Sequence, residues 1–109
     1  ARLPRLVPTM AFATGSMAPQ ISVGDMVLVS KLDTDALEVG DVIQFRSGSY
    51  TVIHRIVAVM QENGASSYIT KGDANNANDA GTVSPEDVVG KVVATVPGAG
   101  RWTLWLHGE

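Results

Sequence analysis

The sequence contains no cysteine, which excludes disulfide staples and thiolate metal sites but leaves the redox compartment open. It has no run of about 18 apolar residues, the length that a membrane-spanning helix needs. Basic residues are sparse: eight Lys and Arg stand against eleven Asp and Glu, for a formal net charge of −3, and they are scattered. Without a basic stripe to neutralise phosphates, nucleic-acid binding is disfavoured. Charged residues make up only 17% of the chain and apolar residues 45%, the balance of a folded globular domain rather than a disordered segment. At 109 residues the chain suits one domain, residues 1–109, with one modest core.

What is present reads as β structure. Met26 to Ser30 is a short apolar run between Gly24-Asp25 and a polar stretch. Gly40-Asp41 opens a second run, Val42 to Phe45, which closes at Ser47-Gly48-Ser49. Tyr50 to Met60 is the longest strand candidate, rich in Thr, Val and Ile, and the Gly48 loop before it predicts a hairpin. Tyr68 to Thr70 and Val88 to Val96 follow, the latter with Gly90 as a candidate bulge. Between them, Gly72 to Pro85 is rich in Asn, Asp, Ala and Gly and has no periodicity, which reads as a long loop of the kind that is either functional or disordered. The expected fold is mainly β: a compact antiparallel β domain with little helix.

The ends have a different character. Leu6, Val7, Met10, Ala11 and Phe12 form an apolar lead-in that Pro4 and Pro8 keep from being a stable helix. Trp102, Leu104, Trp105 and Leu106 form a cluster of the kind found at membrane interfaces. Residues 1–9 and 101–109 read either as stubs of membrane segments or as segments packed on the core.

Chemistry enters at Thr14-Gly15-Ser16-Met17-Ala18-Pro19. A serine preceded by Gly and followed closely by Pro sits on irregular backbone, where its hydroxyl can project and nearby N–H groups can face an oxyanion. Such a turn also occurs without function. The next residues narrow the choice, because Gly24-Asp25 feeds the apolar strand Met26-Val27-Leu28-Val29. In this order the motifs resemble the type I signal peptidase family and its LexA-like self-cleaving relatives, which carry Ser-Gly-Ser-Met-x-Pro, then Gly-Asp and an apolar strand.

His54 lies within Thr51-Val52-Ile53-His54-Arg55-Ile56-Val57, sharing a strand face with Val52 and Ile56. A lone half-buried histidine is commonly structural. Val-x-His-Arg-Ile, however, resembles the segment in which signal peptidases of the endoplasmic-reticulum, archaeal and sporulation type place their general base. The common bacterial enzymes and the LexA-like proteins use Lys there. An imidazole accepts a serine proton near neutral pH, whereas a Lys must first be desolvated. His107 is the other histidine and stands in no recognisable context.

The third segment, Ile69-Thr70-Lys71-Gly72-Asp73-Ala74-Asn75-Asn76-Ala77-Asn78-Asp79, resembles the family's Lys-Gly-Asp-x-Asn stretch with a second acid beyond the first. Spacing alone does not choose between Asp73 and Asp79 as partner of His54. The resemblance favours Asp79 as the triad acid, and Asp73, after Gly72, suits a carboxylate that accepts neighbouring backbone N–H bonds. A Ca²⁺ loop fits poorly, since Ala77 breaks the alternation of oxygen ligands and Glu86 is misplaced. Thr14 matches the first Ser of the family motif, so its hydroxyl and the Ser16 backbone N–H are the implied oxyanion donors. Lys31 and Lys71 do not occupy the strand position of a Ser–Lys base.

The resemblance covers about Met10 to Pro97 and implies a serine endopeptidase with catalytic Ser16, His54 and Asp79, assisted by Asp73. No metal and no cofactor are implied. The implied substrates are signal peptides of secretory precursors, cut after a small residue. The implied location is a membrane anchor with the catalytic domain on the extracytoplasmic or lumenal face. The alternatives are a LexA-like self-cleaving regulator, which the histidine and the lack of a DNA-binding segment disfavour, and a non-catalytic β-domain binding module.

Overall fold

The protein is described from a computed structural model that covers residues 9–12, 15–19, 21, 24–31, 36–96 and 103–104. Its strands are β1 (Thr9–Phe12), β2 (Met26–Ser30), β3 (Val42–Ser47), β4 (Tyr50–Glu62), β5 (Ala65–Lys71), β6 (Val88–Val96) and β7 (Thr103–Leu104). Every pairing is antiparallel, in the spatial order β1-β2-β6-β3-β4-β5, with β7 also on β6. The mainly β, antiparallel fold expected from sequence is the one observed.

Local chemistry explains the hairpins. The β3–β4 turn has Gly48 at φ 62°, and β4–β5 turns through Asn63 and Gly64 at φ 53° and 80°. Asn-Gly is the pair that best tolerates left-handed backbone at both central residues of a two-residue hairpin. Strand β5 starts at Ala65 rather than Tyr68, because the Asn-Gly turn fixes a register that carries polar Ser66 and Ser67 into the sheet.

Two apolar clusters cover the sheet. Met17, Ile21, Val27, Val29, Val42 and Val92 form one, with Ala11 and Ile53 against it. Ile43, Phe45, Ile56, Tyr68 and Val83 form the other, with Val52 and Val59 among its neighbours. Val42 and Ile43 are adjacent in β3 yet belong to different clusters, as strand alternation requires of a sheet buried on both faces.

Two expectations need amendment. The bulge near Gly90 falls one residue earlier: Gln44 pairs with Gly90 and Phe45 with Val88, so Val89 is the extra residue. Gly90 answers a close approach instead, since a Cβ there would lie 2.6 Å from Val29 Cγ1 and 2.7 Å from the Ser30 carbonyl oxygen. At the ends, Thr9–Phe12 and Thr103–Leu104 pair within the sheet. The remaining parts of segments 1–9 and 101–109, with Trp102, Trp105 and His107, lie outside the described residues. Among the described residues, no helix is long and apolar enough to cross a membrane.

Candidate active site

The site forms where β4 loses a neighbour. Strand β3 pairs with β4 from Tyr50 to Arg55, but β5 joins only from Arg55, opposite Lys71. Beyond Lys71 the chain leaves the sheet as the Gly72–Pro85 loop. The β5-side edge of residues 50–54 is therefore open, and the Ser16 turn and the start of the loop meet beside it.

Ser16 sits in a 3-10 turn, Gly15–Met17, closed by a bond from the Ala18 N–H to the Gly15 carbonyl at 3.2 Å. Met17 anchors the turn by burying its side chain in the first apolar cluster. The loop holds the turn from the other side: the Ala74 N–H donates to the Ser16 carbonyl at 2.9 Å, and the Asp73 N–H points at Met17 Sδ at 3.4 Å.

His54 projects from the middle of β4 with 8% of its surface exposed. Its Nε2 lies 3.1 Å from Ser16 Oγ, and its Nδ1 lies 2.6 Å from Asp79 Oδ2. The Phe45 ring meets the imidazole edge-on with centroids 6.4 Å apart, limiting its rotation. Asp79 is held in turn by Thr70, whose hydroxyl donates to Asp79 Oδ2 at 2.7 Å and whose carbonyl accepts the Asp79 N–H at 2.8 Å. A carboxylate in this position keeps the proton of a neutral imidazole on Nδ1, leaving Nε2 free to accept from the serine.

The two acids of the loop thus have separate partners. Asp73 is not at the imidazole. It takes a two-pronged bond from Arg55, Nε to Oδ1 at 2.9 Å and Nη2 to Oδ2 at 2.8 Å, rather than the neighbouring backbone N–H bonds expected from sequence. A forked guanidinium satisfies both carboxylate oxygens at once, which a turn N–H does not. The bond to Asp73, against the cost of partial burial, raises the Arg55 pKa above its ordinary value. Arg55 also donates to the Gly40 carbonyl at 2.8 Å, tying the loop to the turn before β3.

Gly72 is the contact point of the assembly. A Cβ at this residue would lie 2.6 Å from the Ser16 carbonyl oxygen, 2.8 Å from Asn75 Nδ2 and 2.9 Å from His54 Nε2. Only glycine lets the loop pass so close to Ser16 and His54 together. Lys71 points its ammonium at the Gly72 carbonyl, 3.1 Å away. Thr14 lies outside the described residues. Among the described residues no group of three or more His, Cys, Asp or Glu could hold a metal ion.

Sequence reasoning assigned no part to Thr70, Arg55, Gly72 or Asn75. All four lie within the motif segments, Arg55 directly after His54 and the other three in the stretch that ends at Asp79. The signal for Thr70 was its place beside Tyr68 on the inward face of β5. For Arg55 it was strand alternation, which turns it away from His54 towards the other face.

The arrangement defines a class: a β domain with a Ser-His-Asp constellation beside an open strand edge. No family model matches the chain. It is, however, 27% identical over 110 residues to the human signal peptidase complex catalytic subunit SEC11C, covering 92% of this chain and 57% of that protein. Similarity to the sec11 subunit of Dictyostelium discoideum is again 27% over 110 residues, covering 92% of this chain and 61% of that one. Signal peptidase I W of Bacillus subtilis is 39% identical over 77 residues, covering 69% of this chain and 40% of that protein. The relatives of this chain are thus type I signal peptidases of the endoplasmic-reticulum and sporulation branch, and the chain spans about half the length of those it matches.

Proposed function

We propose that this chain is the catalytic domain of a serine endopeptidase that removes N-terminal signal peptides from exported precursors, cutting after a small residue. The observation that carries the proposal is the unbroken line from Ser16 Oγ through both nitrogens of His54 to Asp79. The open edge of β4 supplies a place for substrate. A cleft of about 560 Å³ lies along it, lined by Ala11 and Ile53 on its apolar side and by Ser16, Gln44, His54 and Asn75 on its polar side. An extended peptide can add to that edge as a strand, which presents its carbonyl to Ser16.

In the proposed reaction the Ser16 hydroxyl donates its proton to His54 Nε2 as Oγ attacks the carbonyl carbon. The resulting imidazolium is stabilised by Asp79, and the oxyanion by the Ser16 backbone N–H and the Thr14 hydroxyl. His54 then returns the proton to the departing amine, and a water repeats the sequence in reverse to release the acyl group. The relatives supply signal peptides as the substrate class. The setting proposed with it is a membrane anchor, with this domain on the extracytoplasmic or lumenal face.

The test uses a secretory precursor as substrate and a fluorophosphonate as label. The wild-type chain should cleave the precursor at its signal junction and label once, and Ser16→Ala should lose both, with a fall on the order of 10⁶ in kcat. A folded Ser16→Ala protein that cleaves at the wild-type rate overturns the assignment.

A further inference from the structure

A second cavity, of about 350 Å³, lies behind the imidazole, with Phe45 and Ser47 on one side and Asp79, Thr82 and Val83 on the other. Val52 and His54 line both this cavity and the substrate cleft. Strand register explains how two residues serve two spaces. Phe45 pairs with Val52 and Ser47 with Tyr50, so these side chains share one face of the β3–β4 ribbon, while Gln44 and Ile53 share the opposite face. The cleft takes in Gln44 and Ile53, and the second cavity takes in Phe45, Ser47 and Val52. The open edge of residues 50–54 runs between them.

A peptide added to that edge must turn successive side chains to opposite faces. When the residue whose carbonyl meets Ser16 directs its side chain towards Ile53, its neighbour faces Val52 and the second cavity. Resting on the peptidase reading, we propose that this cavity is a specificity subsite for the substrate side chain immediately before the residue at which the chain is cut. The acyl side is assigned because that part of the substrate stays on the enzyme until the acyl group is released, so contacts there serve both halves of the reaction.

The lining sets the preferred chemistry. Phe45 and Val83 give a buried apolar floor, at 5% and 7% exposure, beside half-buried Val52. Ser47 and Thr82 stand at the rim. Two carboxylates, Asp79 and Asp87, and one guanidinium, Arg46, are among the lining groups, and Arg46 already donates to the Glu86 carbonyl at 3.3 Å. The space exceeds what an Ala side chain fills, and its charge balance is negative. Neutral side chains of Leu or Gln size should therefore be favoured over Ala, and Glu should be disfavoured.

The experiment compares detergent-solubilised protein on peptide substrates that differ only at this position. Leu should exceed Ala by about 10-fold in kcat/KM, the scale of filling an apolar pocket. Gln should exceed its isostere Glu about 5-fold, the scale of a partly screened charge contact. Ser47→Trp sets an indole over the cavity from an exposed strand end and should bring the Leu-to-Ala ratio to about one. Wild-type ratios near one overturn the proposal, as does a preference that appears only when the same series is placed after the cut. If Ser47→Trp does not fold, the wild-type series decides by itself. Failure to cut any of these peptides or a precursor through Ser16 removes the peptidase reading, whereas cutting without preference removes only the subsite.

Discussion

The two halves of the site are built differently. His54 and Asp79 stand on the regular half: a 13-residue strand carries the imidazole, and the neighbouring strand β5 places Thr70 to hold the carboxylate. Ser16 stands on a three-residue turn that no strand contains. The difference extends to the cores, since Met17 anchors the Ser16 turn in one apolar cluster while His54 shares a strand face with Val52 and Ile56 of the other. What joins the halves is the first stretch of the loop. Through Ala74 it holds the Ser16 carbonyl, through Asp73 it grips Arg55, and through Asp79 it meets His54. His54 and Arg55 are consecutive and point to opposite faces of β4, so the loop clamps that strand from both sides.

Breaking the regular half should produce the largest loss in this comparison. Asp79→Asn removes the charge that stabilises the imidazolium and offers an amide N–H to Nδ1, favouring the tautomer in which Nε2 cannot accept. A fall of about 10⁴ in kcat is expected, with melting temperature close to wild type. Single-turnover kinetics alongside thermal unfolding separate the two quantities. An Asp79→Asn chain within about 10-fold of wild type would give the acid no part in the base's work.

Breaking the junction should come second. Gly72→Ala drives a methyl group against the Ser16 carbonyl, which is backbone and cannot swing aside, and against His54 Nε2. The turn must shift, and a displacement of about 1 Å between nucleophile and base costs on the order of 10² in rate. Expected with it is a longer Ser16 Oγ to His54 Nε2 distance in a crystal structure of the variant. Full activity would mean that the loop relaxes freely and that the two halves are not held together at this residue.

The same contrast explains what was legible beforehand. The regular half could be read because alternation and composition are local: the Tyr50 strand, the shared face of Val52, His54 and Ile56, and the Gly48 hairpin all follow from neighbours in sequence. Ser16, His54 and the two acids could be picked out only through a resemblance, since a serine turn and an Asn-rich loop look ordinary one at a time. Asp73 and Asp79 could not be separated by spacing, because the path of the loop depends on Arg55 and Gly40, residues far back in the chain. The strand at Thr9–Phe12 was hidden for a related reason. Its apolar residues carry no alternation, and its pairing with β2 is a contact between segments that sequence patterns do not connect.

The smallest expected effect probes the support beneath the acid. Thr70 is 1% exposed and bonds Asp79 twice, but only one of those bonds uses its side chain. Thr70→Val keeps the β-branched shape that suits strand β5 and keeps the carbonyl that accepts the Asp79 N–H. It deletes only the hydroxyl, so the carboxylate loses one of two donors on Oδ2 and gains freedom to turn away from Nδ1. A hydrogen bond to a charged group contributes about 1.5 kcal/mol, which corresponds to roughly 10-fold in rate if that bond is what aims the carboxylate. The fall should appear mainly in kcat, because Thr70 does not line the cleft beside Ser16 and the hydroxyl lost is the one bonded to Asp79. Thr70→Ser, which restores the donor on a smaller side chain, should recover most of the rate despite its poorer packing. That recovery distinguishes positioning from simple stability: if Ser is as slow as Val, the loss comes from packing in the strand, and Asp79 is held well enough by the backbone alone.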